Sequence, residues 1–249
     1  LPLNIASDSA GGVKKIALEL GGNDAFIVLE DADLDLAVDE AVRGRFFYAG
    51  QICCAPKRFI IHQSLYEQFI AAVTERIAAF KAGDPILEDT QVGTLISSKA
   101  AKTVGEQIEK TVVQGGKIIL GGHVKGAFVE PTVIRDVPFE ADIMHDMEVF
   151  GPVMPITSFE NEDDALALAN DTIYGLGGAI FTNNMKKAMK FSAELECGGV
   201  VINGSSYFRS FEMPFGGYKY SGVGTEGVMS TFEEVTQTKC VILKGIGNY

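Results

Sequence analysis

The sequence predicts an α/β fold, and two observations lead to that prediction. Short runs of apolar and β-branched residues alternate along the chain with amphipathic stretches whose apolar residues recur every three or four positions, which is the pattern of strands followed by helices. Of the 249 residues, 47% are hydrophobic and 22% are charged, a balance typical of globular proteins with a sizeable core. The sequence contains no internal repeat, low-complexity tract or linker, so we expect one compact body.

The first half of the chain contains two predicted strand–helix units. Residues 25–29 are an apolar run that predicts a buried strand. Asp33 is expected to cap the next helix through its side-chain oxygen, and Gly50 is positioned to end that helix. Residues 58–61 predict a second strand, and Ser64 is expected to cap the amphipathic helix after it.

The second half repeats this alternation. Its predicted elements are a helix from Ser97 or Ser98 to about residue 114, helices over 161–169 and 183–195, and strands over 117–120, 179–181 and 200–202. The apolar segment 151–156 contains Pro152 and Pro155. Because proline donates no backbone hydrogen bond, this segment is expected to be an edge strand or a connecting loop.

Composition argues against several classes of function. The net charge of −12 and the isoelectric point near 4.7 disfavour nucleic-acid binding, since no basic patch offsets them. The sequence contains no apolar run long enough to cross a membrane and begins with no signal-peptide pattern. Four cysteines are too few for a disulfide scaffold, and the scattered histidines lack metal-ligand spacing. We therefore expect a cytoplasmic protein with free thiols and no metal site.

The vicinal pair Cys53-Cys54 is the first candidate for chemistry. It lies just after Gly50, where a predicted helix gives way to a strand. A thiol becomes an effective nucleophile when its pKa falls or a base lies nearby. The alternative is that both cysteines are ordinary core residues, since cysteine is among the most buried residue types.

Two carboxylates in unusual surroundings are further candidates. Glu19 has apolar neighbours and precedes Gly21-Gly22, so it suits a general base whose pKa is raised by an apolar pocket. Glu148 lies two residues before Phe150 at a Gly-Pro turn, so it could accept ribose hydroxyls while the ring packs on a planar cofactor. The alternatives are a Glu19 exposed at a strand end, and a solvated Glu148 beside a core phenylalanine.

Taken in order, the segments 18–22, 50–56, 147–152 and 213–224 resemble the aldehyde dehydrogenase superfamily. The last of these, which begins Met-Pro-Phe-Gly-Gly-Tyr-Lys, resembles the C-terminal signature of that family. The 34-residue spacing from Glu19 to Cys53 also fits. The similarity extends over essentially the whole chain.

The resemblance implies an activity and a role for each candidate. Cys53 would attack the aldehyde carbonyl to give a thiohemiacetal, with its own backbone N–H in the oxyanion hole, and Cys54 would be structural. Hydride would pass to NAD or NADP, leaving a thioester, and Glu19 would activate both the thiol and the hydrolytic water. The residues implied at the nicotinamide and its ribose are Leu20, Gly21, Glu148 and Phe150. Asn203 would support the site and Phe215 would be a pocket wall.

The resemblance also implies a domain organisation. Residues 1–22 would be the end of a Rossmann-type cofactor domain, and residues 23–236 a three-layer αβα catalytic domain. Residues 237–249 would be an oligomerisation tail whose strand, within 238–243, pairs between the subunits of a homodimer or homotetramer. The chain corresponds to the C-terminal half of family members. Their Gly-rich pyrophosphate turn and oxyanion-hole Asn would lie upstream of Leu1, so we expect poor cofactor binding by this chain alone.

The aldehyde is predicted from a finer resemblance. Segments 22–24 and 54–59 resemble bacterial succinate-semialdehyde dehydrogenases, some of which carry an arginine six residues before the nucleophile. Phe47 occupies that position here and favours an apolar or uncharged substrate tail, because an unpaired carboxylate against it is costly. Arg209 and Ser210 could supply the anion contact instead.

Three alternatives to this function stay open. They are a non-catalytic assembly module, a dehydrogenase for another apolar or phosphonate-type aldehyde, and ester hydrolysis that needs only Cys53, Glu19 and water.

Overall fold

The computed structural model describes residues 15–245 and confirms the α/β fold. A seven-stranded sheet forms its centre. From one edge to the other, its strands are β11 (Gly199–Ile202), β10 (Gly177–Phe181), β2 (Asp24–Val28), β3 (Pro56–His62), β8 (Val153–Phe159), β7 (Thr132–Arg135) and β4 (Lys117–Leu120). Neighbouring strands are parallel, except that β4 is antiparallel to β7.

Six helices accompany this sheet in the described part of the chain. They are α1 (Leu34–Phe46), α2 (Gln63–Ala78), α3 (Ser98–Val113), α4 (Glu162–Asn170), α5 (Met185–Glu194) and α6 (Val228–Glu234). The connections through α1 and α2 step across the sheet in one direction, whereas those through α4 and α5 step back in the other. Because parallel crossovers are right-handed, α1 lies on the face opposite to α4 and α5, and α2 packs against α1 on its face. The result is the three-layer arrangement that the resemblance implied.

Local sequence signals place most helix starts correctly. The side chains of Asp33, Ser97 and Asn161 cap α1, α3 and α4. The cap predicted for α2 is wrong, because the His62 side chain accepts the Ser64 amide and so takes the capping position itself. Gly50 does not end α1 either, since the helix stops at Phe46 and residues 47–50 form a separate 3-10 turn.

The prediction of an edge strand or loop over 151–156 is also wrong. β8 lies between β3 and β7, inside the sheet, and only Ser158 in it is exposed. The ladder with β3 begins at Ile156, whereas the ladder with β7 covers residues 153–155. Pro155 therefore precedes the ladder with β3, so its missing N–H leaves that ladder intact.

Three two-stranded ladders were not predicted from the sequence, because each of their strands has only two residues and its partner can be distant in sequence. They pair β1 (Leu18–Glu19) with β13 (Gly222–Val223), β9 (Tyr174–Gly175) with β12 (Tyr218–Lys219), and β5 (Val124–Lys125) with β6 (Phe128–Val129). The pairing of β1 with β13 brings the C-terminal signature beside Glu19.

The predicted tail and terminal domain piece are only partly visible. Residues 1–14 of the predicted cofactor-domain end lie outside the described residues. Residues 238–243 are exposed and form no strand within the described chain, so pairing between subunits stays a prediction. All four cysteines are free. No helix among residues 15–245 is long and apolar enough to cross a membrane, and those residues contain no metal-ligating cluster of His, Cys, Asp and Glu.

Candidate active site

The sheet topology brings three predicted site segments together at one end of the parallel strands. Residues 19–22 precede β2, residues 51–55 precede β3, and residues 147–150 precede β8. These three strands are adjacent and parallel, so the segments meet at their amino ends. The chemistry that the sequence spreads over more than a hundred residues is therefore gathered in one place.

Gly21 and Gly22 allow the three segments to touch. A Cβ atom on Gly22 would lie 2.9 Å from the carbonyl oxygen of Cys53 and 2.9 Å from Cβ of Leu176, and one on Gly21 would overlap Oε2 of Glu148. A side chain at position 22 would press on the backbone of the Cys53 turn, so that position requires glycine, whereas a side chain at position 21 would displace the Glu148 carboxylate.

Cys53 and Cys54 have opposite environments although they are neighbours. The Cys54 thiol and backbone amide, together with the Lys57 ammonium, lower the pKa of Cys53 below its usual range, against the opposing effects of burial and Asp24. Cys54 is buried, and the adjoining Cys53 thiol together with this burial raises its pKa. Its carbonyl oxygen accepts a 2.9 Å hydrogen bond from Oγ of Ser206. The arrangement favours Cys53 as the nucleophile and Cys54 as a structural residue.

Glu19 is an exposed carboxylate on β1. Partial burial, followed by the charges of Glu226 and Cys53, raises its pKa to about 7, and Arg209 opposes that shift. Glu19 lies in the segment before β2 and Cys53 in the segment before β3, so both are at the amino ends of two neighbouring strands. A carboxyl group with this pKa can take up and release a proton near neutral pH.

Glu148 and Phe150 lie against the other two segments. Oε1 of Glu148 accepts the Gly22 amide at 2.9 Å and lies 3.4 Å from Nζ of Lys57. Oε2 has no hydrogen-bond partner among residues 15–245, so it is free to accept a ribose hydroxyl. Phe150 is 40% exposed, which leaves ring surface for a planar ligand. Together with the close approach at Gly21, these features fit the nicotinamide-ribose end of a cofactor.

Three buried cations around these segments were not predicted from the sequence. Arg45 donates to the carbonyls of residues 149, 151 and 153, and Lys57 to those of residues 52, 53 and 55. Arg58 donates to the carbonyls of residues 23, 144, 168 and 169. The available signal was the placement of charged residues at the end of α1 and the start of β3, inside apolar runs. Asp24, also buried, accepts the Gly177 amide at 3.0 Å.

The predicted substrate residues fall into two groups. Arg209 and Ser210 line an open cavity of ≈ 840 Å³ together with Glu226. The Arg209 guanidinium lies 3.8 Å from the centroid of Phe215 and 3.1 Å from Oε2 of Glu226. Phe47 does not line that cavity; its ring packs on Tyr207 with centroids 5.8 Å apart.

Asn203 and Leu20 both form hydrogen bonds to main-chain atoms of other segments. Asn203 lies just after β11, at the carboxyl ends of the strands and so at the opposite end from Cys53. Its Oδ1 accepts the Thr182 amide, and its Nδ2 donates to the Thr182 carbonyl. It therefore supports the loop that leads back towards Ser206. The Leu20 amide donates to the Ser221 carbonyl at 3.1 Å, which ties the Glu19 segment to the C-terminal signature.

Comparisons with known proteins agree with this geometry. The family model described as aldehyde dehydrogenase family matches residues 3–241. The lactaldehyde dehydrogenase of Methanocaldococcus jannaschii is 44% identical over 235 residues, which are 93% of this chain and 50% of that protein. The chain thus spans about half the length of the curated relatives that it matches.

Two solved structures show the same fold. The glyceraldehyde-3-phosphate dehydrogenase GapN of M. jannaschii, complexed with NADP, has a TM-score of 0.88 and 43% identity over 94% of this chain and 50% of its own. Aldehyde dehydrogenase 21 of Physcomitrella patens, in complex with the reaction product succinate, has a TM-score of 0.93 and 36% identity over 100% of this chain and 52% of its own. With the match to the family model over nearly its whole length, the chain belongs to the aldehyde dehydrogenase family.

Proposed function

We propose that this chain carries the catalytic residues of an NAD- or NADP-dependent enzyme that oxidises an aldehyde to a carboxylic acid. One observation carries the proposal. Cys53, whose pKa is lowered, lies where the segments that carry Glu19 and Glu148 come together at the amino ends of three strands, beside Cys54, whose pKa is raised.

Cys53 performs the first step. Its thiolate adds to the aldehyde carbon, and the carbonyl oxygen becomes the oxyanion of a thiohemiacetal. The backbone N–H of Cys53 is a donor for this oxygen, and a fixed donor there stabilises the charge as it develops.

Four residues prepare the hydride transfer. NAD or NADP, when bound here, would supply the acceptor for the hydride of the thiohemiacetal carbon, and Cys53 would keep the resulting acyl group as a thioester. Glu148 would accept ribose hydroxyls through Oε2, and Phe150 would pack beside the nicotinamide ring. The main chain of Leu20 and Gly21 would contact the ring from the segment that leads into β2.

Glu19 completes the reaction. It removes a proton from water, the hydroxide attacks the thioester carbonyl, and the Cys53 thiolate leaves with release of the acid. A pKa of about 7 suits this task, because a general base works best when its pKa lies near the working pH.

Succinate semialdehyde is the substrate that we propose. The support is the likeness to the P. patens enzyme, which is in complex with succinate, and the position of the Arg209 guanidinium at the open cavity. Arg209 already pairs with Glu226, so the substrate carboxylate would share the guanidinium with that residue. Relatives named for lactaldehyde and sulfoacetaldehyde make these two aldehydes the comparison substrates.

The setting of the enzyme is part of the proposal. Four free cysteines support a reducing, cytoplasmic compartment. The exposed apolar tail residues Val241, Ile242 and Leu243 support strand pairing between the subunits of a homodimer or homotetramer.

The test compares Cys53→Ala with Cys54→Ala in this protein. Formation of reduced nicotinamide is followed by absorbance with succinate semialdehyde as substrate. We expect Cys53→Ala to abolish the activity and Cys54→Ala to retain most of it, because only the first removes the nucleophile. Equal losses in both variants would refute the assignment of Cys53. Hydrolysis of a nitrophenyl ester without cofactor gives an independent readout of the same thiol.

A further inference from the structure

Lys57 is a buried side chain that the catalytic steps above do not use. It is 1% exposed. Its Nζ lies 3.0 Å from the carbonyl oxygen of Ile52, 2.5 Å from that of Cys53 and 3.4 Å from that of Ala55. Lysine has three donors and no acceptor, so the ammonium is occupied by the turn that carries the nucleophile.

The same ammonium also reaches the proposed cofactor segment. Oε1 of Glu148 lies 3.4 Å from Nζ and accepts the Gly22 amide at 2.9 Å. Lys57 therefore links the segments before β3 and β8 directly, and the segment before β2 through Glu148. The sheet brings these segments near one another, but their contacts to Lys57 fix the position of the Cys53 peptide relative to the Glu148 carboxylate.

A purely structural role would not require this residue type. Burying an ammonium is costly unless it is paired and hydrogen-bonded. Lys57 meets this condition because its donors bind three carbonyls of the nucleophile turn and its charge is balanced by Asp24 and by Glu148, whose Oε1 lies 3.4 Å away. We propose that Lys57 is a positioning residue that holds the Cys53 peptide and the Glu148 carboxylate at a fixed separation and supplies positive charge to the thiolate. The proposal rests on the proposed function.

The first test uses Cys53 alkylation by iodoacetamide, which needs no cofactor. The titratable and charged groups that face Cys53 and Lys57 are Glu19, Asp24, Arg45, Cys54 and Glu148. Rates are measured against pH, and the modified sulfur is located by fragmentation mass spectrometry. We expect Lys57→Met to raise the midpoint of the profile by about one pH unit, since a nearby opposite charge shifts a pKa by roughly that amount or more. Lys57→Arg should keep most of the wild-type midpoint.

Lys187→Met is the matched control. Lys187 is also an ion-paired, largely covered lysine, with Glu30 and Glu162 as partners. Lys187 follows β10 and Glu30 follows β2, so this pair lies at the carboxyl ends of the strands, opposite to Cys53, which precedes β3. Replacement of Lys187 should leave the midpoint unchanged. A midpoint that stays at the wild-type value in folded Lys57→Met would overturn the proposal.

The second test probes Glu148 through binding of reduced nicotinamide mononucleotide, which offers a ribose without the adenosine half. Lys57→Met should weaken binding about tenfold, as expected for loss of a charged hydrogen bond, and Lys187→Met should not. If Lys57→Met does not fold, Glu148→Gln replaces it. That variant removes the anion that faces Lys57, so the alkylation midpoint should fall, and an unchanged midpoint would count against the proposal.

The two proposals fail in different ways. A wild-type protein without Cys53-dependent aldehyde oxidation would refute the proposed function, and the alkylation midpoint would still decide the role of Lys57. Normal oxidation with an unmoved midpoint in Lys57→Met would refute only the positioning role.

Discussion

The turn before the nucleophile contains backbone strain that a single substitution should relieve. Tyr48 has φ 52° and ψ 35°, and Ala49 has φ 53° and ψ 32°. Residues with a Cβ atom pay about 1–2 kcal/mol in this left-handed region, whereas asparagine tolerates it. The side chain of Tyr48 is 71% exposed, so its removal sacrifices little burial. Tyr48→Asn should therefore stabilise the protein by about 1 kcal/mol.

The assay is reversible urea or thermal unfolding, with an expected rise in Tm of roughly 2–4 °C for a chain of this size. Tyr220→Asn is the matched control. Tyr220 is also 71% exposed and lacks a positive φ, so the same substitution there should be neutral or slightly destabilising. If both variants change stability equally, or if Tyr48→Asn lowers it, the strain argument fails. The position of Tyr48 before Cys53 also allows alkylation of Cys53 to report whether the turn has moved.

Three further predictions concern the site itself. Activity should rise with pH through about 7, where Glu19 loses its proton, and Glu19→Gln should remove that limb from the pH–rate profile. Arg45→Met should destabilise the protein by about 2–4 kcal/mol, because three buried carbonyls lose charged donors; the exposed neighbour change Arg43→Met should cost little in the same unfolding assay. Gly22→Ala should slow Cys53 alkylation severalfold, since its Cβ would push on the Cys53 carbonyl, whereas Gly199→Ala, with open space around it, should not.

Features encoded by a few neighbouring residues were predictable from the sequence. The cap at Asp33 depends on a side chain three residues from the amide that it accepts, and the buried strand over 25–29 depends on one apolar run. The chemistry of Cys53 came from a resemblance spread over distant motifs, and the structure shows why order along the chain was informative. Three of the four motifs each precede one of three adjacent strands, and the fourth contains β13, which pairs with the Glu19 segment.

Features set by distant parts of the chain were not predictable in the same way. The interior place of β8 depends on where its ladder with β3 begins, which no property of Pro155 itself reveals. The pairing of β1 with β13 joins residues about two hundred positions apart. His62 caps α2 in place of the predicted Ser64, because Nδ1 of its imidazole accepts a hydrogen bond from the Ser64 amide. Histidine is outside the usual capping residue types.

The site lies at the amino ends of its parallel strands, whereas ligands of open α/β sheets usually bind at the carboxyl ends. At the amino ends the connecting turns bring buried carbonyl oxygens together, and each needs a donor. Arg45, Lys57 and Arg58 supply those donors, while Asp24 and Glu148 offset part of their charge. Because three cations satisfy carbonyls that flexible water would otherwise bind, the turns that carry Cys53 and Glu148 are held by bonds fixed in direction. A substitution of Arg45, Lys57 or Arg58 should therefore displace the turns that carry Cys53 and Glu148, although it leaves these two residues themselves unchanged.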